Sequence, residues 1–163
     1  MCIRDSDIAW FEQPLVLEDL AGMARVQVEG GIPVCGNESE YGLTAFRRLI
    51  ESDAVHYVQY DVTVSGGLSY GRKIAALAEA FHRPVTLHQS NSIVCMAAHL
   101  HLAAALPNSH SIEYHVIHQP LFERAPPGFL ARIDGRIAPP ERPGLGIDLA
   151  DILAGPPLQD IPQ

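Results

Sequence analysis

Five polar residues recur along the chain at an almost constant interval, and each closes a short apolar run. They are Glu12, Glu38, Asp61, His88 and Glu113, which lie 26, 23, 27 and 25 residues apart in turn. An interval of this size holds one strand and one helix. In a parallel barrel the carboxyl ends of the strands share one mouth, so the periodicity predicts that three Glu, one Asp and one His gather there.

Four carboxylates in one pocket repel one another strongly unless a cation offsets their charge. Carboxylate oxygens are ligands that suit a hard ion such as Mg²⁺. The cluster therefore predicts a divalent-metal site. Asp61 and His88 suit a separate task, in which the carboxylate orients the imidazole and supports its basicity during proton transfer.

The elements that would position these residues alternate between strand and helix. Five short apolar runs predict strands, at Ile8–Glu12, Ile32–Gly36, Val55–Tyr60, Pro84–His88 and Ser111–Val116. Four helical patterns lie between them, at Leu17–Val28, Leu43–Glu51, Ser69–Phe81 and Ser92–Leu106. Runs without strict alternation are typical of strands buried on both faces. This order predicts an α/β fold with parallel strands joined by right-handed crossovers.

The two ends of the chain differ from this repeating part. From residue 119 the sequence is rich in proline and glycine, which predicts an irregular tail rather than another strand and helix. Large apolar side chains such as Phe122 and Phe129 favour a tail that packs on other structure, with a disordered tail as the alternative. We therefore expect a partial barrel over residues 8–118 and a packing tail over 119–163. Residues 1–7 run abruptly into a strand, which suggests a foreign or truncated start.

Composition narrows the classes of partner. The chain carries 11 basic and 19 acidic residues, a formal charge of −8, with no basic cluster to bind nucleic acid or an anionic membrane. Its three cysteines are widely spaced, which favours a reducing, cytoplasmic compartment over a disulfide framework. No apolar run approaches the roughly 18 residues that a membrane-spanning helix needs.

The segments around the five polar residues resemble the enolase superfamily, in its mandelate racemase branch. The matching segments are Trp10-Phe11-Glu12-Gln13-Pro14, Ile32-Pro33-Val34-Cys35-Gly36-Asn37-Glu38-Ser39, Gln59-Tyr60-Asp61-Val62 with Gly66-Gly67, Pro84-Val85-Thr86-Leu87-His88, Ser111-Ile112-Glu113-Tyr114 and Pro143-Gly144-Leu145-Gly146. Because these segments occur in the same order along the chain, the resemblance extends over nearly the whole chain after residue 7. The resemblance implies the C-terminal barrel domain of a mandelate racemase/muconate lactonizing enzyme-like protein, truncated at its N-terminus. About five βα units of a (β/α)8 TIM barrel would remain, with the tail packing on a missing lid domain.

The resemblance also implies a role for each residue. Glu12 would be the second of three Mg²⁺ ligands and Glu38 the third. His88 would be a general acid/base, and Asp61 its orienting partner. Glu113 would be a hydrogen-bonding acid near the substrate carboxylate or the developing enolate oxygen. The shared reaction removes a proton α to a carboxylate, and the metal stabilises the resulting enediolate.

Acid-sugar dehydration is the activity that we expect of the whole protein, with racemisation or epimerisation of an α-hydroxy acid as the alternative. Either reaction takes a small carboxylate substrate, and the whole protein is expected to be a homo-oligomer. The family draws its first metal ligand, an Asp, and a Lys-x-Lys pair from strands that precede Glu12, and this sequence has no counterpart of either. A catalytically inactive barrel fragment is therefore the alternative of another class, because a partial barrel leaves unpaired strand edges.

Two of the site residues have rivals nearby in the sequence. Glu40 lies two residues after Glu38, but the spacing from the preceding strand favours Glu38. His115 falls on the same side of the last predicted strand as Glu113 and could share or replace its role. An aldolase with a Schiff-base lysine is disfavoured, because Lys73 is the only lysine and lies within a predicted helix.

Overall fold

A sheet of five parallel strands forms the centre of the molecule. The computed structural model describes residues 6–122 and 125–154. The strands are β1 (Phe11–Glu12), β2 (Val34–Gly36), β3 (Tyr57–Tyr60), β4 (Val85–Leu87) and β5 (Ser109–Ile112). They lie side by side in chain order, and every neighbouring pair is parallel. The predicted α/β class and strand order are confirmed.

Helices cross over between the strands, as the sequence predicted. The helices are α1 (Leu20–Gly30), α2 (Leu43–Glu51), α3 (Val62–Ser65), α4 (Gly67–Ala80), α5 (Ile93–Ala105), α6 (Gln119–Phe122) and α7 (Leu149–Ala154). Local signals set several of their ends. The side chain of Ser92 accepts a hydrogen bond from the amide of Cys95 and caps α5. Gly31, with a φ of 65°, closes α1 in the left-handed conformation that glycine adopts without strain.

The fifth strand differs from its prediction. It was expected over Ser111–Val116, but it begins at Ser109 and ends at Ile112. A shift of register between Val85 and Thr86 in the facing strand accommodates this position. Val116 lies instead in a short 3-10 helix and is 72% exposed. The apolar residues after Glu113 therefore gave a false signal of a longer buried strand.

The main core lies between the sheet and its helices. Val58 and Tyr60 of β3 face it, and Phe46 of α2 and Ile74 of α4 pack from the helix side. Residues that alternate with these, such as Gln59, point to the opposite face of the sheet. The side chains that matter for chemistry follow the strands on that face.

Part of the tail packs against α5. Phe122 and Ile152 are buried in a second apolar cluster with Ile93, Met96 and Leu100. Two short antiparallel strands, β6 (Arg132–Ile133) and β7 (Arg136–Ile137), form a hairpin there. The described tail thus has packed apolar anchors, as its composition suggested, while its contact with a lid domain stays a prediction.

Two sequence predictions fall largely outside the described part of the chain. The foreign or truncated start involves residues 1–5, and the end of the tail comprises residues 155–163. Among the described helices, none is both long and apolar enough to cross a membrane.

Candidate active site

The five predicted site residues lie at the carboxyl edge of the sheet. Glu12 is the last residue of β1, and Asp61, His88 and Glu113 directly follow β3, β4 and β5. Glu38 comes two residues after the end of β2. Parallel pairing of all five strands brings these ends to one edge. The arrangement that the sequence interval predicted is the one that the structure has.

His88 lies at the centre of this group and contacts three carboxylates. Its Nδ1 is 3.4 Å from Oδ2 of Asp61, and its Nε2 is 3.2 Å from Oε2 of Glu38. Oε2 of Glu113 lies 3.6 Å from the same Nε2. Burial by itself would lower the pKa of His88, but the bond to Asp61 and the charges of Glu113 and Glu38 raise it above its ordinary value.

Asp61 is held firmly in its ionised form. Its side chain is 1% exposed. Burial favours the neutral acid, but hydrogen bonds from His88, Thr63 and Asn91 outweigh burial and hold the pKa of Asp61 well below its usual range. The Thr63 amide and hydroxyl donate to Oδ1 at 2.8 and 2.7 Å, and the Asn91 amide donates to Oδ2 at 2.8 Å. Asp61 therefore caps α3 with one oxygen and faces His88 with the other.

Three glutamates, Glu12, Glu38 and Glu113, lie near one another at this edge of the sheet. The Gln89 amide donates to Oε2 of Glu113 at 2.9 Å, and the indole N–H of Trp10 donates to Oε2 of Glu12 at 3.4 Å. Burial raises the pKa of Glu113, and the negative charges of Glu12 and Glu38 raise it further. Both effects favour the protonated form of Glu113.

The structure also separates the site residues from their rivals in sequence. Glu38 contacts His88, whereas an oxygen of Glu40 accepts a hydrogen bond from the adjacent amide of Tyr41. Glu113 faces His88, whereas the ring of His115 stacks on His118 with centroids 4.4 Å apart. Glu38 and Glu113 are thus the members of each pair that join the group.

Glu12 and Glu38 fit a hard divalent cation. Glu12 ends β1, and Glu38 follows the adjacent parallel strand β2. Both offer only oxygen donors, and their negative charge raises the pKa of the nearby Glu113. A cation between them would relieve that repulsion, and oxygen-only donors match Mg²⁺.

A second group of metal-type side chains lies behind Asp61. Asp61, Cys95 and His99 each offer a ligand atom, and these atoms lie within 4.8 Å of one another. The group does not fit a metal, however. Nε2 of His99 already accepts the Val62 amide at 3.1 Å, and burial raises the pKa of the Cys95 thiol well above its usual range. The His99 nitrogen is thus already occupied by a backbone hydrogen bond, and the Cys95 sulfur stays a neutral thiol rather than the thiolate that binds metals.

Gln89, which directly follows His88, has a buried side chain that is turned away from the mouth of the site. Its Nε2 donates to the carbonyls of Asn91 and Ser92, at 3.2 and 3.4 Å, and its Oε1 faces His99. Sequence reasoning also missed the amide of Asn91 as a partner of Asp61, because nothing in its spacing distinguishes it from an ordinary loop residue.

The comparisons with known proteins agree with this geometry. The profile of the enolase C-terminal domain-like family matches residues 2–152. D-xylonate dehydratase from Haloferax volcanii is 32% identical over 147 residues, which are 90% of this chain and 36% of that protein. D-galactarolactone cycloisomerase from Agrobacterium fabrum is 32% identical over 150 residues, covering 87% of this chain and 40% of that protein.

Comparison with a solved structure shows that the fold is also shared. A putative mandelate racemase from Bordetella bronchiseptica RB50 aligns with a TM-score of 0.84 at 32% identity, over 93% of this chain and 39% of that one. The chain thus spans about two fifths of the length of the proteins that it matches. Cycloisomerases stand beside dehydratases among the relatives, so similarity at this level does not separate those two activities.

Proposed function

Because this chain belongs to the enolase C-terminal domain-like family, we propose that it supplies the proton-transfer half of an acid-sugar dehydratase active site. His88 would move a proton at or next to the carbon α to the substrate carboxylate. One observation carries the proposal: a buried, ionised Asp61 faces one nitrogen of His88, while the other nitrogen faces the Glu38 and Glu113 carboxylates. The dehydratases among the relatives support the choice of substrate class.

Asp61 gives His88 the properties that this task needs. Its carboxylate accepts a hydrogen bond from the N–H at Nδ1 of His88. This bond fixes the orientation of the ring and leaves Nε2 at the mouth of the site. The same negative charge stabilises the imidazolium that forms when Nε2 takes a proton. The same bond to Asp61, with the charges of Glu113 and Glu38, raises the pKa of His88, which strengthens it as a proton acceptor.

Glu12, Glu38 and Glu113 would act on the substrate carboxylate. Glu12 and Glu38 would hold Mg²⁺, together with a third ligand that the resemblance places on a strand absent from this sequence. When bound, Mg²⁺ stabilises negative charge that develops on the substrate oxygens. Glu113, whose pKa is raised, would donate a hydrogen bond to one of these oxygens.

The test combines ion binding with proton exchange. The chain is heated with and without Mg²⁺, and is then incubated in D₂O with acid sugars such as D-xylonate and D-mannonate. We expect Mg²⁺ to raise the unfolding temperature, and ¹H NMR to show exchange of the α-proton. Dehydration would also release water and form an α-keto acid, whereas racemisation would retain the hydroxy acid.

Matched variants assign the two effects. Glu38→Gln should lose the Mg²⁺ protection, and Glu40→Gln, two residues away, should keep it. His88→Asn should keep the protection and lose exchange. If Mg²⁺ neither protects the chain nor supports exchange on any acid sugar, the chain is a catalytically inactive fragment and the proposal fails for it.

A further inference from the structure

A chain of hydrogen bonds behind the site joins the residue after His88 to the residue after Asp61. Gln89 follows His88, and its Oε1 lies 3.1 Å from Nδ1 of His99. Val62 follows Asp61, and its amide donates to Nε2 of His99 at 3.1 Å. Gln89 and His99 are fully buried. The proposed mechanism uses neither side chain.

The orientation of Gln89 is fixed by its neighbours. Its Nε2 lies near the carbonyl oxygens of Asn91 and Ser92, which can only accept hydrogen bonds. The amide NH₂ must therefore face those carbonyls, and Oε1 must face His99. An acceptor at that position requires the proton of His99 to sit on Nδ1.

The same tautomer satisfies the other side of the ring. With its proton on Nδ1, His99 presents a lone pair at Nε2, and this is the atom that the Val62 amide approaches. A second proton on the ring would set two N–H groups against each other. Burial also opposes that proton and lowers the pKa of His99 to about 4. One neutral tautomer thus satisfies every group in the chain of bonds.

Helix α5 reaches Asp61 through a second residue as well. Cys95 lies four positions before His99, on the same face of the helix. Its thiol donates to Oδ1 of Asp61 at 3.4 Å. The helix therefore contacts the Asp61 side chain through Cys95 and the backbone beyond it through His99.

We propose that Gln89 and His99 are positioning residues that fix the separation of His88 and Asp61. The two residues of the dyad end neighbouring strands, and the Gln89–His99 bridge links the peptide that follows each of them. The inference rests on the proposed function, because a fixed dyad matters most in a proton-transfer site. The inference can be tested without substrate or metal, because it predicts one tautomer of His99 and a Val62 amide whose exchange depends on His99.

The experiment uses the ¹⁵N-labelled chain. Long-range ¹H–¹⁵N correlation should show His99 as the single Nδ1–H tautomer at neutral pH. Gln89→Met removes the acceptor with little change of volume, and should make the tautomers of His99 mix. It should also speed exchange of the Val62 amide by about tenfold, the size expected for one buried hydrogen bond.

Variants of His99 test the link itself. His99→Leu should speed Val62 exchange to a similar extent, whereas His99→Gln should largely restore protection, because its side-chain oxygen can accept from the amide. His101→Leu, in the same helix, is the matched control and should leave Val62 unchanged. Where α-proton exchange on an acid sugar is measurable, Gln89→Met should lower its rate about tenfold and keep the Mg²⁺ protection.

Two results would overturn the bridge: an Nε2–H tautomer of His99 in the unaltered chain, or unchanged Val62 exchange in both Gln89→Met and His99→Leu. The first needs no variant, so it applies even if a substitution prevents folding. Neither result would contradict the proposed function, which is tested by Mg²⁺ protection and α-proton exchange. Conversely, a chain with the expected tautomer and amide coupling but no α-proton exchange would refute the proposed function and leave the bridge standing.

Discussion

Acidification below pH 6.5 should destabilise the fold through His99, and replacing His99 with Gln should remove that part of the loss. His99 is fully buried, and its Nε2 accepts a backbone amide. Burial lowers its pKa from 6.5 to about 4, opposed by the charge of Asp61 and aided by that of His88. Cys95, which also lies against the ring, stays uncharged because burial raises its pKa.

The sign follows from which state binds the proton. Between pH 6.5 and about 4 the unfolded chain protonates His99 and the folded chain does not. The contribution of neutral His99 to stability is therefore complete above pH 6.5, declines as the pH falls, and is lost near pH 4. At about 1.4 kcal/mol per pH unit, the full loss is about 3 kcal/mol.

Urea unfolding of the chain and of His99→Gln, at half-unit steps from pH 7.5 to 4, measures this loss. The variant should be less stable at pH 7, and the gap in free energy of unfolding should shrink by about 3 kcal/mol towards pH 4. Asp61 and the other carboxylates titrate in both proteins, so the difference isolates His99. His101→Gln serves as the control. A gap that stays constant across this range would refute the reasoning.

Three further substitutions test packing and capping by thermal or urea unfolding. Tyr60→Phe removes a buried hydroxyl that donates to the Gly71 carbonyl at 3.0 Å, and should cost about 1 kcal/mol; no loss would mean that the bond contributes nothing net. Gly71→Val should cost about 3 kcal/mol, because even a Cβ there would lie 2.8 Å from Leu102 Cδ2; a neutral result would show that this contact relaxes freely. Asp19→Ala should cost about 1 kcal/mol by removing the cap on the Gly22 amide at the start of α1, and Asp19→Asn should cost less; equal losses would argue against the cap.

The framework of the fold was predictable because each strand and each crossover helix carries its own local signal. Helix α2 was predicted at its observed bounds, Leu43–Glu51, since its apolar positions repeat at helical spacing. The edge at which the site residues meet followed from parallel pairing alone. The end of β5 could not be predicted in this way, because exposed apolar residues such as Val116 resemble those of a buried strand in the sequence.

The surroundings of Asp61 were not predictable for a different reason. They depend on which side chains of the segment after β4 and of helix α5 point towards Asp61. The spacing of residues in a single sequence does not show these directions. His99 lies in a helix that is apolar on nearly every side, where a buried histidine reads as a structural residue. Only the positions of Gln89 and Val62 on either side of its ring show what it bonds to.

The all-round apolar character of α5 follows from its three neighbours. Ala98 and Leu102 pack into the core beneath the sheet, while Met96 and Leu100 pack against the tail. A third strip, which includes His99, faces the ends of the strands. Because the tail covers the outer side, the helix is held against the sheet on which the dyad sits.

The proposed acid/base pair and the proposed metal site therefore differ in what this chain contributes. Asp61, His88 and the residues that hold them all lie within the described chain and are joined by its own hydrogen bonds. The proposed metal site would take Glu12 and Glu38 from this chain, and the resemblance assigns it a further ligand from a strand that precedes β1. The geometry of the dyad should consequently persist without Mg²⁺, while affinity for the ion should fall well below that of a site with all three ligands.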